Sequence, residues 1–546
     1  MNKQSFARGA VILAIASIVS RLLGVVYIVA LPRIIRDEGM GLMQMVRPIH
    51  SFAVIMSIAG LPVALSKLVA EELAIGNSQN ARKVFHWALG SMLFLGICFT
   101  GVLLLGGKWL VIKVVGDPLA YPVLMAMTPS LILLPVIAAL RGLFQGMQYM
   151  TPSATSQVVE QVVRVAAMLI FAAAFMPQGI QYGAAGASLG GVTGSLAGLI
   201  ALLTYYLIWH HSTKKDSLKQ RKRPSVARQS AKMCSGWAIL RRLFSLSLPL
   251  VLGSLLWPVM QMIDTGLVPL RMRIAGHNIE AIREALGYLG MALSLMHLPN
   301  VLTSALAVTL VPAVAEAGAL KAGRSLQYRV TEALRVAVLF GVPASIGLFC
   351  MAKPVSVLLF GYDQVAEPLR ILAMGTLTVG IFQVCSGVLQ GLGLVLLPVY
   401  SLLCGVIVKF GLNYWLTAHT KLGIKGAAWG TLVGFSIAGA LNFRAVCRHA
   451  GLAAGFGVLF SKAVLASAVM GLSVSLLYDN LFDLSLDHLS NFNANGLSTI
   501  ISIALGAVVY IIGLIGTGTL CQRDLELIPK IGTKMGKWFK HRGWVK

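Results

Sequence analysis

Stretches of about twenty apolar residues with scarcely a charge among them recur from one end of this chain to the other, and they constrain its fold more than any other feature. With a rise of about 1.5 Å per residue, roughly 20 residues of helix cover the hydrocarbon layer of a bilayer. Backbone N–H and C=O groups find no water there, so such a run must satisfy them internally, as helix. Fourteen stretches qualify, near 9–31, 43–65, 86–106, 119–140, 153–175, 183–209, 243–269, 286–315, 331–351, 367–389, 397–417, 424–446, 454–477 and 497–520. The first, from Gly9 to Pro32, outlasts a signal-peptide core and lacks a small-residue cleavage site, so it is expected to remain as a span. Across the 546 residues, 57% apolar and 12% charged side chains exclude a water-soluble globular fold. The expected class is all-α: a polytopic membrane protein of about 14 transmembrane helices.

The formal net charge of +26 does not point to nucleic acid, because the basic residues collect in loops and tails and no aromatic side chains interleave with them. The densest block, K-K-D-S-L-K-Q-R-K-R, lies in 211–242, whereas 478–496 holds Asp479, Asp483 and Asp487 and no Lys or Arg. With the N-terminus in the cytoplasm, most of the 45 Lys and Arg fall on the inner side, which the positive-inside rule favours. Both termini are therefore expected in the cytoplasm, with the basic linker beside anionic lipid headgroups. The seven cysteines (98, 234, 350, 385, 404, 447 and 521) show no C-x-x-C spacing, so neither a metal site nor a disulfide framework is indicated. There is no P-loop, H-E-x-x-H or G-x-S-x-G. An enzyme is not expected, nor a catalytic residue, nor a cofactor.

Self-similarity divides the chain. G-L-F-Q-G (142–146) returns as G-V-L-Q-G (387–391), and Arg164 and Lys409 each follow the motif glutamine by the same interval, at an offset of 245. G-A-A-G (183–186) returns as G-A-A-W-G (426–430) at 243, and L-P-V-A (61–64) is echoed by V-P-A-V (311–314) at 250. The implied organisation is an N-terminal six-helix bundle (1–210), the basic cytoplasmic linker (211–242), a C-terminal six-helix bundle (243–450), two extra helices (451–520) and a basic cytoplasmic tail (521–546). Six spans per copy make the repeats parallel, the arrangement that encloses a midplane cavity between rocking halves.

Ionisable groups inside spans cost about 2.5–3.5 kcal/mol each on insertion scales, so each marks a partner or a wet cavity. Arg21, Arg164 and Lys409 fall near mid-span, too deep to snorkel. Arg164 has Glu160 four residues earlier, so an intrahelical ion pair competes with a binding role. Lys409 and Arg21 have no such local acid, while Arg335 pairs with Glu332 near the end of its span. Asp264 is the other deep acid, suited equally to pairing with a basic residue or to coupling a proton or sodium ion. The surplus of Arg21, Arg164 and Lys409 over Asp264 and Glu160 favours a phosphate- or carboxylate-bearing substrate.

The chain resembles the stage V sporulation protein B and polysaccharide-biosynthesis branch of the multidrug/oligosaccharidyl-lipid/polysaccharide exporter superfamily. The resemblance is carried by S-R-L-L-G (20–24), E-G-M-G-L (38–42), G-L-P-V-A-L-S-K-L-V-A-E (60–71), D-T-G-L-V-P-L-R-M (264–272) and L-P-N-V-L-T-S-A-L-A-V-T-L-V-P-A-V-A-E (298–316). It implies a flippase similar to the MurJ type, with Arg21 facing a cavity. It implies as substrate an undecaprenyl-pyrophosphate-linked peptidoglycan precursor, and in the sporulation branch a role in spore cortex. Where MurJ-type proteins place an arginine and a glutamate in span 8, this chain has Ser294 and His297, which admits another lipid-linked glycan. The expected function is alternating-access export of a polyprenyl-pyrophosphate-linked cell-wall saccharide across the bacterial cell membrane. The diphosphate would be held by Arg21, Arg164 and Lys409, and membrane lipids would receive the prenyl tail. The alternative is a cation-coupled multidrug exporter of the same fold.

Overall fold

Among the described residues the apolar stretches fold as helices, and no strand is present. The structure, a computed structural model, describes residues 6–58, 60–220, 235–320, 323–418, 422–452, 456–486 and 489–519. The middle of the basic linker (221–234), the basic tail (521–546), Cys234, Cys521 and Asp487 lie outside the described residues. The helices in chain order are α1 (Phe6–Ile58), α2 (Leu61–Ala74), α3 (Ser78–Leu110), α4 (Tyr121–Met127), α5 (Ser130–Gly146), α6 (Thr151–Phe175), α7 (Ile180–Gln220), α8 (Gly236–Ile274) and α9 (Ile279–His297). They continue as α10 (Asn300–Ala319), α11 (Gly323–Cys350), α12 (Ala352–Phe360), α13 (Ala366–Gly391), α14 (Leu396–Leu416), α15 (Ile424–His449), α16 (Phe456–Leu486) and α17 (Asn491–Gly516).

Among the described residues 12 helical stretches are long and apolar enough to cross a membrane, 13 with the two arms of α8 joined. The 60-residue stretch Ile15–Ala74 holds the first two sequence spans, giving the fourteen expected. Three breaks have local causes. Arg36 interrupts α1 with φ 59° and ψ 179°, a conformation foreign to helix. The arms of α8 meet at 56° across the segment that holds Pro249, whose missing N–H weakens the helical ladder. Span 8, expected as one helix over 286–315, is instead divided between α9 and α10, because Pro299 disfavours helical backbone at Leu298.

The described chain forms two compact units, one running to Arg273 and adding His277–Gly287, the other comprising Ile274–Gly276 and the chain from Tyr288 onward. The seventh span, α8, thus lies in the first unit. Its Ile239, Leu243 and Val251 join a buried cluster with Leu68 of α2, Phe85 of α3 and Phe144 of α5. Arg242 at one end pairs with Glu71 at 2.6 Å, and Arg273 at the other donates to the Gly116 carbonyl. In the second unit Val314, Val330, Leu334, Val384 and Val388 of α10, α11 and α13 form the corresponding cluster. Large apolar side chains also face outward, Leu105 with 90% of its surface exposed, as a lipid-covered exterior requires.

Small residues set how closely the helices approach, since lipid gives apolar side chains no reason to prefer one another. A methyl group on Gly142 would stand 2.9 Å from the Pro62 carbonyl oxygen, and one on Gly146 2.7 Å from that of Ser66. In the second unit Gly387 and Gly391 lie in the same way against Ala307 and Val311. Positions 62 and 307, like 66 and 311, are 245 apart, the offset of the glycine motif itself. The L-P-V-A echo at 250 is therefore not the pairing that packing selects. On α7, Gly186, Gly190, Gly194 and Gly198 line up against Phe171, Met168, Arg164 and Glu160 of α6. On α15, Gly426, Gly430, Gly434 and Ala438 take the corresponding places against Leu416, Asn413 and Gly405 of α14. This pairs Gly186 with Gly426, three residues from the register read off the G-A-A-G motif.

Candidate functional site

The glycine ladder draws α7 so close to α6 that one side of Glu160 is sealed by helix backbone: a methyl on Gly198 would lie 2.9 Å from the Glu160 Cβ. Glu160 is buried, with 7% of its surface exposed. Two arginines converge on its two oxygens. Arg164, one turn further along α6, pairs with Oε1, and Arg141 of α5 donates from Nη2 to Oε2 at 2.8 Å. Arg141 also donates from Nε to Ser156 Oγ at 3.1 Å, which fixes the plane of its guanidinium. The local Glu160–Arg164 pair is thus present, and a second cation joins it. Sequence reasoning missed Arg141 because it lies one residue past the fourth apolar stretch, where a basic residue reads as an interfacial anchor. Its place immediately before the repeated glycine motif was the available signal.

Arg21 belongs to the same unit. Ser17 and Ser20 of α1 contact Gln157 of α6, each at 3.5 Å, and Gly24 leaves room for Gln161. These contacts bring Arg21, whose side chain is exposed, within about a helical turn of Glu160 along α6. Asp264, also in the first unit, is buried in α8 with 3% of its surface exposed. Lys409 occupies α14 of the second unit, equally buried at 2%, with Asn413 one turn later. The position four residues before it is Gly405, so this half has no counterpart of Glu160. Ser294 and His297 are half-buried near the end of α9, and Ser294 Oγ donates to the Gly290 carbonyl at 2.9 Å. Arg335 and Glu332 pair as the sequence implied, at 3.6 Å.

Two features had no sequence signal. At one end of the first unit Arg283 of α9 grips Asp117, through Nε to Oδ2 and through Nη2 to Oδ1 at 3.0 Å, with Glu38 of α1 at 3.7 Å. The Asp117 carboxylate holds the Arg283 guanidinium above the ordinary arginine value. Glu284, beside it, is raised above the usual carboxylate range by burial and then by Asp37, Glu38 and Glu280. A carboxyl raised in the fold is a cost once it ionises and none below its unfolded pKa of about 4.3. Glu284→Gln is therefore expected to raise the melting temperature at neutral pH and to leave it unchanged below about pH 4, which thermal unfolding at the two pH values checks. In the second unit an apolar cavity of about 400 Å³ opens among α11, α13, α15 and α16, walled by Val338, Ile381, Phe443, Phe456 and Phe460.

A family model described as polysaccharide biosynthesis protein matches residues 6–318. The chain belongs to this family. It is 33% identical over 453 residues to stage V sporulation protein B of Bacillus subtilis (strain 168), covering 82% of this chain and 85% of that protein. It is also 26% identical over 495 residues to the lipid II flippase MurJ of the same organism, covering 86% and 88%. Its fold is that of a lipid II flippase MurJ solved in an inward closed conformation, with a TM-score of 0.66 at 14% identity over 92% of this chain and 98% of that one. Like its relatives, this member of the family is a multi-pass membrane protein.

Proposed function

We propose that the protein moves a polyprenyl-diphosphate-linked cell-wall saccharide, a lipid II-like peptidoglycan precursor used for spore cortex, across the cell membrane by alternating access. The observation that carries this reading is the Glu160 site: two guanidiniums on one carboxylate leave a net positive charge where the C-terminal part of α5 meets the middle of α6. A cation held there costs several kcal/mol unless an anion visits it. A cationic drug would meet repulsion, which disfavours the multidrug alternative. Arg21 and Arg164 take the diphosphate, and Lys409, at the repeat position equivalent to Arg164, is the corresponding cation of the second unit. Asp264 balances charge or couples a proton or sodium ion. The apolar cavity among α11, α13, α15 and α16 has the chemistry to receive part of a prenyl tail. The sporulation relative and the lipid II flippase relative support the substrate class.

Reconstitution tests it. Liposomes containing the full chain and a labelled undecaprenyl-diphosphate-linked saccharide are expected to show label in the opposite leaflet faster than protein-free liposomes. Transfer no faster than in protein-free liposomes, together with uptake of a cationic dye, would replace this reading with the multidrug one.

A further inference from the structure

Glu160 is arranged less like a structural counter-ion than like an occupant. Each of its oxygens meets a different guanidinium, Arg141 on Oε2 and Arg164 on Oε1, as two oxygens on one phosphorus would. The arginines keep 25% and 31% of their side chains exposed while the carboxylate keeps 9%, so their outer faces are open and the acid lies behind them. Arg164 Nε is buried and has no hydrogen-bond partner. A carboxylate offers two oxygens and is already engaged at both; a phosphate offers a third, and a buried donor left unsatisfied is a standing cost. The repeat sharpens the point. At the offset of 245, positions 141, 160 and 164 correspond to Ser386, Gly405 and Lys409, so the two-arginine carboxylate site is confined to one half and is not required to build the shared helix packing.

We propose that Glu160 is an internal stand-in for the substrate's phosphate: it neutralises Arg141 and Arg164 while the protein is empty and yields them to an incoming phosphate anion. The inference rests on the reading above that the headgroup is a phosphate, and it adds Arg141 to the residues that bind it. It also gives the empty protein a way to return. A carrier that binds an anion with two guanidiniums within the membrane would otherwise reset with both unpaired, which is costly for charges at that depth. A built-in carboxylate lowers that cost and weakens substrate binding by competing for the same donors.

The probe is farnesyl diphosphate, with farnesol as the uncharged control, titrated calorimetrically into the full chain in detergent. Glu160→Gln keeps an acceptor oxygen but removes the competing charge, and is expected to tighten farnesyl diphosphate binding by about tenfold or more while leaving farnesol unchanged. Arg141→Gln is expected to weaken the diphosphate by at least about tenfold, and Arg141→Lys by less, since the charge remains but the fork does not. Should Glu160→Gln fail to fold, Glu160→Asp keeps the charge with a shorter reach and is expected to tighten binding by a smaller factor. Wild-type or weaker diphosphate affinity in the folded Glu160 variants would overturn the stand-in and leave Glu160 a positioning residue. Equal effects on farnesol and farnesyl diphosphate would instead sink the phosphate reading itself, while liposome transfer of the saccharide is scored separately.

Discussion

Asp117→Asn is expected to destabilise the first unit by about 3–5 kcal/mol, the range for removing one partner of a buried ion pair. Asp117 has no exposed surface and Arg283 has 8%. Both carboxylate oxygens are committed to the guanidinium, and Oδ1 also accepts from the Leu119 N–H at 3.0 Å, capping the short turn Pro118–Ala120. An asparagine would present its amide N–H₂ to a guanidinium that has nothing to accept with, leaving a buried cation with the Glu38 carboxylate no nearer than 3.7 Å. The surroundings cannot yield to let water in. Methyl groups on Gly41 and Gly287 would strike the carbonyls of Arg283 and Asp37, so α1 and the first half of α9 meet backbone to backbone. The check is a cycle of Asp117→Asn, Arg283→Met and the double variant, read by unfolding in detergent. Each single change is expected to be costly and the double to recover most of the loss, because no charge is then left unpaired. A single Asp117→Asn loss below about 1 kcal/mol would mean the pair is solvated and weak.

The contrast between this cluster and the Glu160 site shows what the sequence could and could not disclose. Glu160 and Arg164 are four residues apart on one helix, so their pairing follows from helical geometry alone. Asp117 and Arg283 are separated by 166 residues, and no periodicity links them. Arg141 fell between these cases: near enough to Glu160 to be joined by a single tight turn between α5 and α6, yet just outside an apolar stretch, so that it is not marked as a charge inside a span. The spans were legible because a bilayer demands long apolar runs, and their breaks were not, because a run with Pro299 in its middle has the same hydropathy whether its helix is continuous or divided. The repeat was legible through glycine, since close approach tolerates little else at 142, 146, 387 and 391. Its register on α7 and α15 was not, because ladders of small residues spaced by four look alike when slid by a turn. The placing of α8 with the first unit depends on side chains such as Leu243 and Arg242 finding partners on α2, α3 and α5, which hydropathy cannot address.

Arg21→Ala is expected to abolish transfer of a diphosphate-linked saccharide while leaving the protein folded in the membrane. The two halves of that expectation have separate physical grounds. Stability should survive because the Arg21 side chain is exposed, and because its neighbours Ser17 and Ser20, with Gly24, make the contact between α1 and α6. Removing a charge from mid-span also relieves an insertion cost of about 2.5–3.5 kcal/mol. Activity should not survive, since a protein that kept a cation at that depth only for packing would do as well with alanine. On the proposed reading Arg21 is the part of the first unit's cationic group that has no carboxylate of its own helix within one turn, and its planar guanidinium matches a phosphate through paired N–H···O bonds. Arg21→Lys separates charge from geometry: a point charge without the two-pronged donor set is expected to retain a fraction of transfer, lower than wild type by about tenfold. Liposome transfer and size-exclusion profiles of the same preparations are the paired measurements. Wild-type transfer by Arg21→Ala would remove Arg21 from the diphosphate site, and loss of transfer with an aggregated profile would assign it to the fold instead.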